Sequence, residues 1–129
     1  MNSPAHDIAL YLQSTGLGDL GTTLFVGNEP ATPDEVTTIY DYPGDGDDTD
    51  ELDEQPRFQV RTRGSYETAY HQQLEIKDAL TRPTTGIVAP TSVFSLIVSI
   101  NSIASLGRDG NQRYIMVASY RARRTNKET

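Results

Sequence analysis

Apolar residues recur at helical spacing in two segments of the chain. The first set is Ala5, Ile8, Ala9 and Leu12, and Ser3-Pro4 ahead of it forms a typical N-cap and first helical residue. This pattern predicts a short helix over residues 4–15. The second set is Ala69, Tyr70, Gln73, Leu74, Ile76, Lys77 and Leu80. It predicts a longer helix over residues 66–81, packed on a sheet and ended by Arg82-Pro83.

Alternating or β-branched runs predict five strands. Residues 57–64 alternate cleanly, with Phe58, Val60 and Thr62 on one face. In the same way, Phe94, Leu96, Val98 and Ile100 alternate with Ser95, Ile97, Ser99 and Asn101. The predicted strands are 22–27, 36–41, 57–64, 91–106 and 112–123, and the turn at 107–111 joins the last two into a long hairpin. This order predicts one α+β domain, residues 1–129, with both helices on one face of a mostly antiparallel sheet.

Charge is concentrated in one segment of this 129-residue chain, whose formal net charge is −7. Residues 41–54 contain eight acids and no base: Asp41, Asp45, Asp47, Asp48, Asp50, Glu51, Asp53 and Glu54. Outside this segment, acids and bases nearly balance. The composition predicts an exposed acidic loop inserted at about 42–56. Overall acidity argues against a protein that binds nucleic acid by neutralising phosphates, although Arg121, Arg123, Arg124 and Lys127 form a basic C-terminal tail.

No motif predicts catalysis, a metal site or a cofactor. The chain has no cysteine, and its two histidines fall in different predicted helices. An EF-hand register that starts at Asp45 fails, because position 6 is Asp50 rather than glycine and position 12 is Pro56. Weak divalent-ion binding and a metal-dependent enzyme stay open as lesser alternatives. No signal peptide or membrane-spanning run is visible, so a soluble protein is expected.

Three groups of charged residues are candidate contact sites: the acidic loop, a pair of arginines and the hairpin tip. Arg61 and Arg63 share one face of a predicted strand. That face is either simply solvated or, if subunits assemble head to tail, in contact with the acidic loop of a neighbour. The hairpin tip at 107–113 is the other exposed and chemically distinctive element. The predicted subunit or partner contacts are Asp45, Asp47, Asp48, Asp50, Glu51, Asp53, Arg61, Arg63, Arg108, Asp109 and Arg113.

Several segments carry a resemblance to a known family. Residues 6–12 (HDIALYL) and 16–27 (GLGDLGTTLFVG) resemble the N-terminal half of tailed-phage minor capsid proteins. Residues 58–64 (FQVRTRG) and 76–80 (IKDAL) are similar to the strand and helix that form that family's core. Residues 106–114 (LGRDGNQRY) resemble its C-terminal hairpin. The resemblance covers about residues 6–123, and that family is similar in layout to siphophage tail terminator, or tail completion, proteins.

The resemblance implies a structural virion protein without an active site or cofactor. It implies a homo-oligomer, a hexameric ring, that caps the tail tube protein and joins it to a head-completion or connector protein, with DNA only passing through the lumen. It also implies a location at the head–tail junction of the virion, after assembly in the host cytoplasm, and no membrane contact. Two alternatives stay open: a head-completion or stopper protein of the neck, and a monomeric adaptor whose acidic loop binds a basic partner.

Overall fold

Two helices lie on one face of a mostly antiparallel sheet. The computed structural model describes residues 2–45, 54–83 and 85–127. The helices are α1 (Pro4–Ser14) and α2 (Tyr66–Thr81). The strands are β1 (Leu24–Val26), β2 (Val36–Asp45), β3 (Gln55–Gly64), β4 (Ile87–Val88), β5 (Ser92–Ser99), β6 (Ala104–Arg108) and β7 (Tyr114–Asn126).

The strand order is β1-β2-β3-β7-β5-β4, and β6 pairs with β7 beside this path. Among the paired strands of the described residues, β1–β2 alone is parallel, so the predicted α+β class and mostly antiparallel sheet are confirmed. The long hairpin is less continuous than predicted. β7 pairs with β6 near its start and with β5 near its end, and residues 100–103 separate those two partners.

Side-chain caps explain where the helices begin. The hydroxyl of Ser3 accepts a hydrogen bond from the amide of His6, and that of Ser65 accepts one from Thr68. In α1 the predicted apolar stripe is fully buried. α1 and α2 therefore begin within one residue of the predicted positions.

The buried face of α2 differs from the predicted one. Its buried residues are Ala69, Gln73, Ile76 and Leu80. Gln73 ties the helix to the sheet, since its amide donates to the carbonyl oxygens of Val60 (2.9 Å) and Met116 (3.1 Å). Tyr70 and Leu74 are 39% and 37% exposed, so their assignment to the packed face was wrong. The buried stripe of a surface helix covers an arc of about 100° around the helix axis. Tyr70 and Leu74 lie outside that arc.

A β-bulge changes the predicted alternation in β5. The register with β7 shifts between Phe94 and Leu96, so that Phe94 and Ile97 both point into the core. Leu96 lies opposite Arg123 and Val98 opposite Arg121, on the face away from the helices. The prediction that Phe94, Leu96 and Val98 share one face was therefore wrong, because the extra residue of a bulge reverses the side-chain parity beyond it.

The acidic insertion is shorter than predicted. β2 runs to Asp45 and β3 begins at Gln55, so residues 42–45 and 55–56 belong to strands rather than to a loop. Pairing continues through Tyr42↔Arg57 and Asp45↔Gln55, with a register shift between them. Pro43 lies within that shift, where a missing backbone donor is tolerated. Backbone pairing with the neighbouring strand thus extends the two strands beyond the limits suggested by their composition.

Candidate assembly surfaces

The acidic residues predicted as contacts fall mostly outside the described part of the chain. Asp45 ends β2, and its backbone pairs with Gln55. Asp47, Asp48, Asp50, Glu51 and Asp53 lie outside the described residues. As contacts, these residues stay predictions.

Arg63 is an interior residue rather than part of a solvated face. Only 3% of its surface is exposed. Its guanidinium donates to three carbonyl oxygens in the loop 28–35, those of Pro30 (2.6 Å), Pro33 (2.6 Å) and Asp34 (3.1 Å). The expectation that this side chain faces solvent was wrong, because the loop 28–35 folds over the end of β3 and covers it.

Arg61, two residues earlier, contacts the same loop near its start, at Glu29. Its Nε lies 2.9 Å from a carboxylate oxygen of Glu29, and the Arg61 side chain is 30% exposed. Glu29 also lies 3.5 Å from Arg63. Both arginines of this face are thus engaged within the chain, where they hold the loop 28–35.

The hairpin tip is connected to the same loop. The carboxylate of Asp109 accepts hydrogen bonds from the amides of Asn111 and Arg113 and lies 2.8 Å from the Arg113 Nε. These hydrogen bonds lower the pKa of Asp109, and the bond from the Arg113 amide has the largest effect. Desolvation of the carboxylate acts in the opposite direction but is outweighed. Arg113 also donates to the carbonyl oxygen of Ala31 at 2.6 Å. Arg113 therefore links the tip to the loop 28–35. Arg108 stays exposed, and its guanidinium carbon lies 5.9 Å from the ring centre of Tyr114.

A buried ionic cluster at the other end of β7 was not predicted. Arg124, which the sequence suggested was part of a basic tail, is 2% exposed. Its Nε and Nη2 each lie 2.6 Å from one carboxylate oxygen of Glu54. Its Nη1 donates to the carbonyl oxygen of Asn2 (2.9 Å) and lies 3.9 Å from the carboxylate of Asp7. The alternation Tyr120, Ala122, Arg124 along β7 was the signal that could have placed Arg124 on the core face.

Asp7 is the fully buried member of this cluster. Its carboxylate accepts hydrogen bonds from the hydroxyls of Ser92 and Thr91 and from the side-chain amide of Asn2. Burial raises the pKa of Asp7, but these hydrogen bonds together lower it by more, so its pKa lies below the usual value. The cluster joins the N-terminal segment, the start of β5 and the end of β7.

The lowered pKa of Asp7 predicts acid sensitivity. Because the unfolded state binds the proton more tightly, the contribution of Asp7 to stability is present above the ordinary aspartate pKa. It is lost as pH falls through the lower pKa of the folded state. We expect Asp7→Asn to lower the free energy of unfolding by about 1–3 kcal/mol at pH 7, and this difference from the wild type should shrink below about pH 4. Urea titrations at several pH values test it, and a difference that stays constant down to acid pH would contradict it.

Two other kinds of site were sought in the described residues. No three His, Asp or Glu side chains of that part of the chain are grouped as a metal ion would require. Neither α1 nor α2 is long and apolar enough to cross a membrane.

A solved structure shares the fold of this chain. The chain has the fold of a protein chain in a solved structure titled "Virion of native gene transfer agent (GTA) particle". The TM-score is 0.62 at 16% sequence identity, over 93% of this chain and 92% of the other. A family model described as "Bacteriophage tail terminator protein" matches residues 11–126. Because that match spans most of the chain, this protein belongs to the bacteriophage tail terminator family and is a structural protein of the virion tail. No curated protein matches the chain.

Proposed function

We propose that the protein forms a ring that caps the tail tube and joins it to the head-side connector. The observation that carries this proposal is the family match over residues 11–126. In this role the ring binds the last ring of tube subunits, stops their polymerisation and offers its other face to the connector. The proposed setting is the head–tail junction of a virion assembled in the host cytoplasm, with a hexamer as the proposed stoichiometry.

The loop 28–35 and the hairpin tip support a role in contacts with other virion proteins. Arg61, Arg63 and Arg113 hold these elements in one conformation through bonds to Glu29, Asp109 and carbonyl oxygens of the loop. A surface that is ordered before binding loses less conformational entropy when a partner docks. We propose the tip, with Arg108 as its exposed cation, as a contact with the tube or the connector.

The acidic residues between Asp45 and Asp53 have a second proposed role; Asp41 and Glu54 are not included, because they bind the Ala5 amide and Arg124 within the chain. Carboxylates that face a lumen repel phosphates, so they would let DNA slide rather than bind. DNA affinity measured at low salt tests this role. Tight binding that weakens steeply as salt is added would contradict it.

Tube assembly in the presence of the protein tests the capping function. We expect substoichiometric amounts to shorten tubes grown from the purified tail tube protein, because one ring blocks one growing end. Electron microscopy of tube lengths and ends gives the measurement. The variant Arg108→Glu should cap less well than Arg82→Glu, a matched charge reversal at an 80% exposed side chain just past the end of α2. If tube lengths are unchanged and the protein binds the connector, the result would favour a head-completion or stopper protein of the neck. If the protein is a monomer that binds only a basic partner, the result would favour the adaptor.

A further inference from the structure

The outer edge of β5 is open beyond its short pairing with β4. Among the described residues, no strand lies beside residues 95–99 on that side. The amide of Ile100 donates to the carbonyl oxygen of Ser119 on β7 at 2.9 Å. Because the backbone groups of an antiparallel strand alternate between its two sides, those of Ile97 and Ser99 point to the open edge. This edge can therefore pair with one more strand.

The sequence of this edge does not protect it from pairing. Residues 95–99 read SLIVS and contain neither a charge nor a proline, two features by which edge strands avoid new partners. A groove of about 400 Å³ lies along the edge, between β5 and the C-terminal half of α2. Lys77, Thr81 and Pro83 line the groove opposite the strand. An extended segment that pairs with the free backbone groups of β5 lies in this groove.

The charge of the groove is positive. Among the described residues that line it, Lys77 alone is charged, and its ammonium group pairs with no carboxylate of that part of the chain. Asp78, the next residue, lies 3.8 Å from Arg82, and both of these side chains are largely exposed. On the other face of the sheet, Arg121 is exposed opposite Val98 on β5. An occupant that complements this groove carries carboxylates.

Carboxylates are concentrated at the opposite side of the same sheet. Residues 45–53, which we call the acidic segment, contain six acids and no base and connect β2 to β3. In the order β2-β3-β7-β5, these two strands are three and two positions from β5, roughly 14 and 10 Å away. Glu54, the next residue, is held 2.6 Å from Arg124. The acidic segment is thus anchored on the side of the sheet that faces away from the groove.

We infer that the acidic segment of one copy docks along the β5 edge of the next copy in the ring. Its backbone pairs with Ile97 and Ser99, and its carboxylates meet Lys77. β1 pairs only with residues 37–39 of β2, so it leaves the acidic end of the β2–β3 hairpin free to approach. Two different surfaces at opposite sides of one sheet repeat head to tail and can close a ring. The inference rests on the proposed ring, and it excludes the lumen role for the same acids.

Disulfide trapping between two variants tests the contact directly, because the chain has no cysteine of its own. One variant is Ser99→Cys at the open edge, and the other is Asp48→Cys or Asp50→Cys in the acidic segment. Oxidised as a mixture, they should form a covalent dimer of twice the 14.2 kDa protomer mass, in greater yield than either variant alone. The matched control replaces Ser99→Cys by Ser14→Cys, at an exposed serine that ends α1. It should give no such gain.

Charge reversal gives a second measurement in solution. Lys77→Glu should weaken self-association by at least about tenfold in Kd, measured by sedimentation velocity. Arg82→Glu, a matched charge reversal outside the groove lining, should assemble like the wild type. Ser99→Pro removes the edge amide and should also weaken assembly, whereas Ser99→Ala retains the amide and should not. Thermal melts confirm that each variant is folded.

The outcomes separate the contact from the function. The contact is overturned if the mixture is trapped no better than the Ser14→Cys control, if Lys77→Glu associates like the wild type, or if the wild type stays monomeric at every concentration. If Lys77→Glu forms normal rings that cap tubes poorly, the groove takes a segment of the tube protein and the contact between copies is wrong. If the mixture is trapped but wild-type rings leave tube length unchanged, the contact stands and the terminator role fails. If wild-type rings cap tubes and the mixture is not trapped, the role stands and the contact is wrong.

Discussion

Arg124→Met is expected to lower the free energy of unfolding by about 3–5 kcal/mol. The guanidinium is 2% exposed and holds Glu54 at 2.6 Å while lying 3.9 Å from the buried Asp7. Methionine fills similar space but leaves the Asp7 carboxylate without the positive charge that lies 3.9 Å from it. Removing one partner of a buried ion pair costs more than the pair itself contributes, because the other charge stays desolvated. Urea denaturation at neutral pH gives the measurement.

The matched control for this variant is Arg121→Met, on the same strand but exposed. It should change stability by no more than about 0.5 kcal/mol. The double variant Asp7→Asn with Arg124→Met should be less destabilised than the sum of its single variants, because neutral asparagine needs no cation. Strict additivity would show that Asp7 and Arg124 act independently.

Arg63→Met should destabilise the protein by about 3 kcal/mol and release the loop 28–35. The three carbonyl oxygens of Pro30, Pro33 and Asp34 would lose a charged donor from the same residue. Bonds to a charged group contribute more than neutral ones, and the loop would need water in their place. Hydrogen exchange read by mass spectrometry should rise in residues 28–35, alongside a lower denaturant midpoint.

Arg61→Met separates burial from charge in this prediction. Arg61 contacts the same loop through Glu29, yet its side chain is 30% exposed. We expect a loss below about 1 kcal/mol, as is typical of an ion pair that stays in contact with water. Equal effects of the two substitutions would contradict the special role of the carbonyl bonds made by Arg63.

Local patterns in the sequence predicted much of the framework. The stripe Ala5, Ile8, Ala9 and Leu12 placed α1, and the alternation in 57–64 placed β3, because one side of each element must be buried. The resemblance to tail terminators also agreed with the family model. The candidate site was harder to predict. Arg61 and Arg63 were recognised as a pair, but nothing local indicated that the loop 28–35, far away in sequence, would cover one of them.

The sequence by itself determined the main helices and strands and the α+β class, since periodicity, caps and turn residues act over a few positions. The family was indicated by the resemblance of several segments to tail terminators. Only the tertiary structure decided which charges are buried. Arg124 joins Asp7 and Glu54 from positions 117 and 70 residues away in the chain. Likewise, the bulge between Phe94 and Leu96 depends on pairing with β7, and it decides which apolar residues reach the outer face. Register and burial arise from contacts between distant segments, and those contacts leave no period in the sequence.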